Sequence, residues 1–315
     1  MKKILITGAL GQIGTELTQR LRKDYGIDNV IATNRSKKDA SVALEGIYED
    51  LDVLDDRRLY EKVKTHGVDT VIHLASILSA KGEAMPQKLW QVNMQGLYNV
   101  LEVSRQEGLK VFFPSSIAVF GPDTPKEKTP QVTLQRPGTI YGISKVSGEL
   151  LCSYYHARFG VDTRGVRFPG LISKHALPGG GTTDYAVHIY HEAVDKGAYT
   201  SYIAKGTRMD MLYMPDALDA VVGLMEADPS KLTHRIGYNI TAMSLSPEAI
   251  AASIQEHLPA FEIFYEVDPM RQAIAESWPD SLDDSVARQE WGWQPKVDLA
   301  EMTRDMLAFL QNKQL

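Results

Sequence analysis

The apolar positions in the first half of the chain fall into short unbroken runs separated by longer stretches of helical period. Runs at 4–6, 30–32, 68–74, 111–113 and 163–167 read as strands, and stretches at about 14–23, 57–65, 87–106 and 141–159 read as helices. Strands that are apolar on both faces need cover on both, so the alternation predicts a parallel sheet between two helical layers. Right-handed crossovers then give a doubly wound α/β sheet. Past residue 167 the rhythm changes. Residues 168–185 are rich in Gly, Pro, Ser and Thr and read as a long functional loop. Strands at 201–204, 237–241 and 261–267 and helices at 215–226, 247–258 and 299–310 follow, with Ser246 and Pro247 marking one helix start. A second full set of alternating units is lacking. We therefore expect a main domain over 1–167 and a smaller α/β lobe over 168–315, with segments of the latter able to return to the former.

At 315 residues with 43% hydrophobic content, the chain can bury a sizeable core. Its net charge of −6 is spread with both signs mixed and no basic stripe, which argues against a nucleic-acid partner. No apolar run reaches the roughly 18 residues of a membrane span. The run at 4–6 is too short for a signal peptide and ends at Gly8. The single cysteine, Cys152, permits no internal disulfide and reads as a packing residue. Both points favour a cytoplasmic location.

The first candidate chemistry follows the first strand. Thr7-Gly8-Ala9-Leu10-Gly11-Gln12-Ile13-Gly14 joins strand to helix through a glycine turn. Gly8 permits the turn, Gly11 lets backbone approach a pyrophosphate, and Gly14 lets helix and strand pack closely. The helix N-terminus at Gln12 and Ile13 adds free N–H groups and a positive dipole for the anion. A dinucleotide-binding Rossmann domain is the consequence. The position that selects the cofactor, about 20 residues on, falls on Asn34 and Arg35. Asn34 can bond a ribose without repelling a 2′-phosphate, and Arg35 either attracts one or points to solvent. NAD is expected, with NADP left open. Asp52 stands at the right distance for the adenine amino group.

Tyr141 and Lys145 are four apart on an expected helix and share one face. A free tyrosine titrates near pH ~10, and a nearby ammonium together with a positive nicotinamide ring stabilises the phenolate. Tyr141 thereby becomes a general base, while Lys145 can also hold the nicotinamide ribose. Ser115 and Ser116 follow the strand at 111–113 and place hydroxyls at its carboxyl end, where ligands bind an open parallel sheet.

Thr7–Gly14, His73–Ser76, Ser115–Gly121 and Tyr141–Lys145 together resemble the extended short-chain dehydrogenase/reductase family over nearly the whole chain. The resemblance implies a Ser116/Tyr141/Lys145 catalytic set, cofactor contacts from Leu74 and Ala75, and a supporting role for Asn93. Phe120 stands where a tyrosine is often found. A narrower resemblance, to the short-chain-type L-threonine 3-dehydrogenases, lies in the segments 178–186, 76–83, 277–279, 283–285 and 291–293. It implies oxidation of the threonine 3-hydroxyl to 2-amino-3-oxobutyrate; Asn34 departs from the acid usual there. A zwitterionic substrate fits the loop chemistry. The glycines around Gly180 can form an anion-binding nest, Thr182 and Ser79 add hydroxyls, and Asp184 or a backbone carbonyl can hold the ammonium. Trp278 either contacts substrate or packs a lid, and Arg167 either reaches the site or pairs with an acid. The rival reading is a nucleotide-sugar 4-epimerase or dehydratase with tightly bound NAD. His73 reads as a packed core residue, and the histidines and Cys152 show no metal-ligand spacing, so no metal is expected. Helices at 87–106 and 141–159 carry apolar residues on more than one face, among them Leu97, Val100, Leu101, Leu150, Leu151, Tyr154 and Tyr155. The resemblance implies a homodimer built on them.

Overall fold

A computed structural model describes residues 1–36, 45–175 and 181–314. Its principal sheet has six strands, in the order Tyr48–Asp50, Val30–Asn34, Ile4–Thr7, Thr70–His73, Lys110–Phe112, Asp162–Arg164. Every neighbouring pair is parallel. The chain starts in the middle, moves outward to Val30–Asn34 and Tyr48–Asp50, then returns to the other side of Ile4–Thr7. That reversal opens a crevice at the carboxyl ends of Ile4–Thr7 and Thr70–His73. The apolar alternation explains the two layers. Leu5, Ile31 and Val71 face one side and pack with Leu59, Leu97, Val100, Leu101, Cys152 and Tyr155 of helices Asp56–His66, Gly96–Glu107 and Ile140–Phe159. Ile4, Ile6, Val30 and Ala32 face the other side and pack with Leu17 and Leu21 of helix Gln12–Tyr25.

That second face is completed from the far half of the chain. Leu218, Val221 and Met225 of helix Met214–Glu226 share its core with Tyr238, Ala287 and Trp293. Buried Arg164 ties this helix down by donating to the carbonyls of Leu224 and Ala227 at 2.8 and 2.7 Å. A small parallel sheet continues the edge, with Val166–Phe168 between Ser115–Ser116 and Tyr238–Asn239. The remaining lobe gathers around Tyr185, Ile189, Met209, Met211, Ile250, Met302 and Met306. Among the described residues no helix is long and apolar enough to cross a membrane.

Several elements differ from the sequence-based expectation. The strand expected at 201–204 runs Ala198–Ser201 and pairs with Glu262–Tyr265. The segment 168–185 is not wholly loop, since Gly170–Ile172 pairs with Met209–Tyr213. Strand Met209–Tyr213 is buried throughout yet carries Asp210, which breaks its apolar run and hides it from a pattern search. The Asp210 carboxyl group accepts from Thr241 Oγ1 and Leu282 N at 2.7 and 2.8 Å, which offsets its burial in part, while desolvation still pushes its pKa up to about 8.

The first turn packs without room for a side chain. Gly8 has φ +71°, and a β-carbon there would lie 2.7 Å from the Ala75 nitrogen. A β-carbon on Gly14 would lie 2.3 Å from the Gly8 carbonyl oxygen. Ala usually improves a helix interior by roughly 0.5–1 kcal/mol over Gly, but overpacking here costs about 1–3 kcal/mol or more. Gly14→Ala is therefore expected to lower the urea midpoint at unchanged slope. A midpoint equal to or above that of the parent would refute the close-packing role.

Candidate active site

The crevice holds a cleft of about 1060 Å³. Gly8, Gly11, Gln12, Ile13 and Gly14 line one end of it. Gly11 stands at the N-cap of helix Gln12–Tyr25 with no side-chain cap, and a β-carbon there would meet only the Gly8 carbonyl oxygen, at 3.3 Å. The turn thus presents bare backbone and an uncapped helix end to the cleft. Gln12 Nε2 is buried there with no hydrogen-bond partner, a donor that a phosphate oxygen would satisfy. This end fits the pyrophosphate of a dinucleotide.

The other residues expected at the cofactor are unequally placed. Leu74 lines the cleft, and its N–H donates to Thr7 O at 3.0 Å. Ala75 N donates to Thr7 Oγ1 at 3.3 Å, and Ala75 faces a separate small cavity beside Asn93, Ser144 and Lys145. Asn34, Arg35 and Asp52 do not line the cleft. Asn34 Nδ2 donates to Ser36 O at 3.4 Å, Arg35 is exposed, and Asp52 Oδ1 accepts from Leu54 N at 3.0 Å. A backbone bond from Leu51 N to Asn34 O, 2.8 Å, nevertheless brings Asn34 and the Asp52 segment to one edge of the sheet. Buried His73 bonds through Nδ1 to Thr7 Oγ1 at 2.9 Å, and burial, helped by the charge of Lys145, pushes its pKa down to about 3. It is a neutral core residue.

Helix Ile140–Phe159 delivers Tyr141 and Lys145 to the middle of the cleft. Its start is held twice: Thr139 Oγ1 accepts from Gly142 N at 3.0 Å, and Glu83 Oε1 accepts from Ile140 N at 2.9 Å. The two serines divide. Both line the cleft, but Ser115 donates its hydroxyl to Glu149, whereas Ser116 is hydrogen-bonded to the Tyr141 phenol. Burial pushes Tyr141 up to about 12, against the pull of that bond. Burial also draws Lys145 down to about 8, against Cys152 and Glu149. Lys145 Nζ donates to Pro114 O at 2.7 Å and lies 5.4 Å from the Tyr141 ring centre. The lowering of the Tyr141 pKa expected from Lys145 is thus not a property of the protein alone, because desolvation dominates. Asn93 sits in a π-helical turn, Gln91–Gln95, and bonds Ile77 on both backbone atoms at 2.8 and 3.1 Å. It also donates to Ser144 Oγ at 3.4 Å, between the two key helix residues.

Ser79, Thr182, Asp184 and Trp278 also line the cleft. Thr182 is 1% exposed and its hydroxyl has no partner. Asp184 Oδ2 accepts from Gly181 N at 2.7 Å, so its carboxylate already shapes the turn it belongs to. Trp278 ends helix Pro269–Ser277, is buried, and faces the cleft, while Lys126 Nζ holds its carbonyl at 2.7 Å. Gly180 lies outside the described residues. Arg167 does not line the cleft and forms a buried ion pair with Glu149 at 2.8 Å. Phe168–Leu171, at the start of the segment 168–185 expected to be a functional loop, line the cleft; Leu78 and Ile117, which also line it, were given no role from the sequence.

Comparison with known proteins agrees with this layout. Residues 4–241 match the NAD dependent epimerase/dehydratase family. An epimerase/dehydratase of Staphylococcus aureus, described as uncharacterized, is 56% identical over 314 residues, covering 99% of this chain and 98% of that protein. The L-threonine dehydrogenase of Clostridium difficile superposes with a TM-score of 0.98 at 60% identity, over 99% of this chain and 98% of that one. A GalE-like L-threonine dehydrogenase from Cupriavidus necator, solved in its holo form, gives 0.95 at 52% identity, over 98% and 99%. With its parallel sheet, its glycine turn and this match over most of its length, the chain belongs to the NAD dependent epimerase/dehydratase family, that is, to the extended short-chain dehydrogenases/reductases.

Proposed function

We propose that the protein oxidises the 3-hydroxyl of L-threonine to 2-amino-3-oxobutyrate with reduction of NAD. The observation that carries this reading is the lining of the cleft. An unpartnered, fully buried Thr182 hydroxyl and the Asp184 carboxylate share one cleft with Ser116 and Tyr141. Lys145 is the one Lys or Arg among the described residues lining it. A nucleotide-sugar substrate would bring a second pyrophosphate, for which that lining offers no further Lys or Arg. A small zwitterion matches these hydroxyls and one carboxylate. The likeness to L-threonine dehydrogenases of 60% and 52% identity supports the same reading.

In this reading Ser116 orients the substrate hydroxyl, and Tyr141 takes its proton as hydride leaves C3. Bound NAD supplies the hydride acceptor and, as a positive ring, a charge that favours the phenolate. Lys145 spends one donor on Pro114 O and keeps two for a ribose hydroxyl. Thr182 and Ser79 hold the amino-acid head. Because burial holds Tyr141 near 12 in the protein alone, loss of the phenol proton is the costly condition, and turnover rises with pH as the base ionises.

The subunits are proposed to pair through helices Gly96–Glu107 and Ile140–Phe159. Leu97, Val100 and Leu101 are not available for this, because all three are fully buried in the sheet's own core. The exposed apolar strip consists instead of Tyr98, Leu150 and Tyr154, at 45%, 64% and 53% exposure, with Ile143 and Phe159 beside them. One similar L-threonine 3-dehydrogenase, from a metagenome, is described as monomeric, so pairing is not general.

Three measurements follow. With L-threonine and NAD, Tyr141→Phe is expected to cut kcat by roughly 10²–10⁴ with little change in NAD affinity. Thr182→Ala is expected to raise the threonine KM more than it lowers kcat. No NADH signal from the parent enzyme, or near-normal kcat in Tyr141→Phe, sinks the assignment. For the cofactor, Asn34→Asp is expected to sharpen the preference for NAD over NADP; strict NADP dependence of the parent would refute the NAD reading. In light scattering at micromolar concentration, a mass twice the 35.0 kDa of the chain is expected, and a mass equal to one chain would rule out the dimer.

A further inference from the structure

Behind the catalytic set lies a buried ionic network that the chemistry does not touch. Glu149 follows Lys145 by one helical turn on Ile140–Phe159 and is 5% exposed. Its carboxylate accepts from Arg167 Nε and Nη2 at 2.9 and 2.8 Å, from Gln135 Nε2 at 3.0 Å, and from the Ser115 hydroxyl. Gly237, at φ +71°, passes so close that a β-carbon there would lie 2.8 Å from that carboxylate. Arg167 is itself the strand partner of Ser115, the neighbour of Ser116.

The network continues to the Trp278 segment. Arg167 Nη1 donates to Gln131 O and Asn239 Oδ1 at 2.9 and 3.1 Å. Gln131 spans Gly237 O and Asn239 N, at 2.7 and 2.8 Å, and Asn239 Nδ2 donates to Thr129 O at 3.0 Å. Thr129 then exchanges backbone bonds with Ser281 and Asp283 at 3.0 and 2.9 Å, in the segment that begins with Trp278. Lys126, three residues before Thr129, holds the Trp278 carbonyl.

A buried ion pair is a poor source of net stability, since desolvation offsets most of its attraction, and an apolar pair of like volume often serves as well. What it supplies is direction: a planar fork fixes two groups in both distance and angle. We propose that the Glu149–Arg167 pair is a positioning strut that sets the Ser116 strand, the Tyr141 helix and the Trp278 wall at one mutual spacing. The inference rests on the proposed dehydrogenase reading for its kinetic consequence only. Reacting groups displaced by about 1 Å can lose on the order of 10²-fold in rate, so loosening the strut acts on turnover and not on dinucleotide affinity.

Two variants test it: Arg167→Lys, which keeps the charge but loses the fork, and the double variant Glu149→Gln/Arg167→Met, which removes the pair without stranding a charge. Each is assayed by hydrogen exchange of the whole chain, by steady-state kinetics with L-threonine, and by NAD titration. Faster exchange confined to 126–131 and 278–284, with strand Ile4–Thr7 unchanged, is expected in both. So is a fall in kcat of roughly 10-fold in Arg167→Lys and nearer 10² in the double variant, with NAD affinity within about twofold of the parent. Unchanged exchange in those segments, exchange raised uniformly over the chain, or parental kcat in a folded double variant would each overturn the strut. Should the parent enzyme leave L-threonine untouched, the functional reading fails, while the exchange pattern still decides the strut.

Discussion

At Gly8 and Gly14 the backbone runs so close to its neighbours that no β-carbon fits without movement. Everything at the site depends on that contact. It lets helix Gln12–Tyr25 start directly above the end of Ile4–Thr7, so the helix end points into the crevice where the strand order reverses. It also presses the turn against Leu74 and Ala75, which brings the loop after Thr70–His73 to the same edge. The glycine turn, Ser116 and Tyr141 then share one cleft because the neighbouring strands Ile4–Thr7, Thr70–His73 and Lys110–Phe112 release their loops at one sheet edge.

The middle of that cleft is a place of low polarity, and this governs its charges. Burial is the largest influence at Tyr141, Lys145 and His73, raising the first and lowering the other two. Lys145 stays tied to Pro114 O and lies over Phe113, 4.8 Å from the ring centre. Gln12 Nε2 and Thr182 Oγ1, buried at the same cleft, have no hydrogen-bond partner. Such orphans are costly in a finished core and are usually explained by something bound.

The far half of the chain serves two masters. Met214–Glu226 and the Tyr238 and Trp293 region finish the cover of the principal sheet, whereas Thr182–Asp184 and Trp278 line the cleft together with Tyr141. A cleft lining built from segments that also anchor in the first sheet has little freedom to drift from it. The chain between the two, through Thr129, Gln131 and Asn239, is hydrogen-bonded at nearly every polar group it buries.

The parallel sheet, its two helical layers, the glycine turn and the Tyr141/Lys145 pair were legible in the sequence, because each is written in local period or local spacing. Strands apolar on both faces announce a covered sheet, and residues four apart on a helix must share a face. What the sequence left open was decided by contacts between distant segments. Ser115 and Ser116 are chemically alike, and only the approach of Glu149 commits one and leaves the other to Tyr141. Arg167 could have served substrate or an acid, and the strand pairing that sets it beside Glu149 chose the acid. Leu97 and Tyr98 are adjacent in the chain, yet the packing of their helix buries the first and exposes the second. Strand Met209–Tyr213 escaped notice because its buried Asp210 is tolerable only with Thr241 and Leu282 brought in from elsewhere. Local pattern determines which elements form and which residue types reach the sheet edge; desolvation and pairing across the chain determine which of those residues remain free to act.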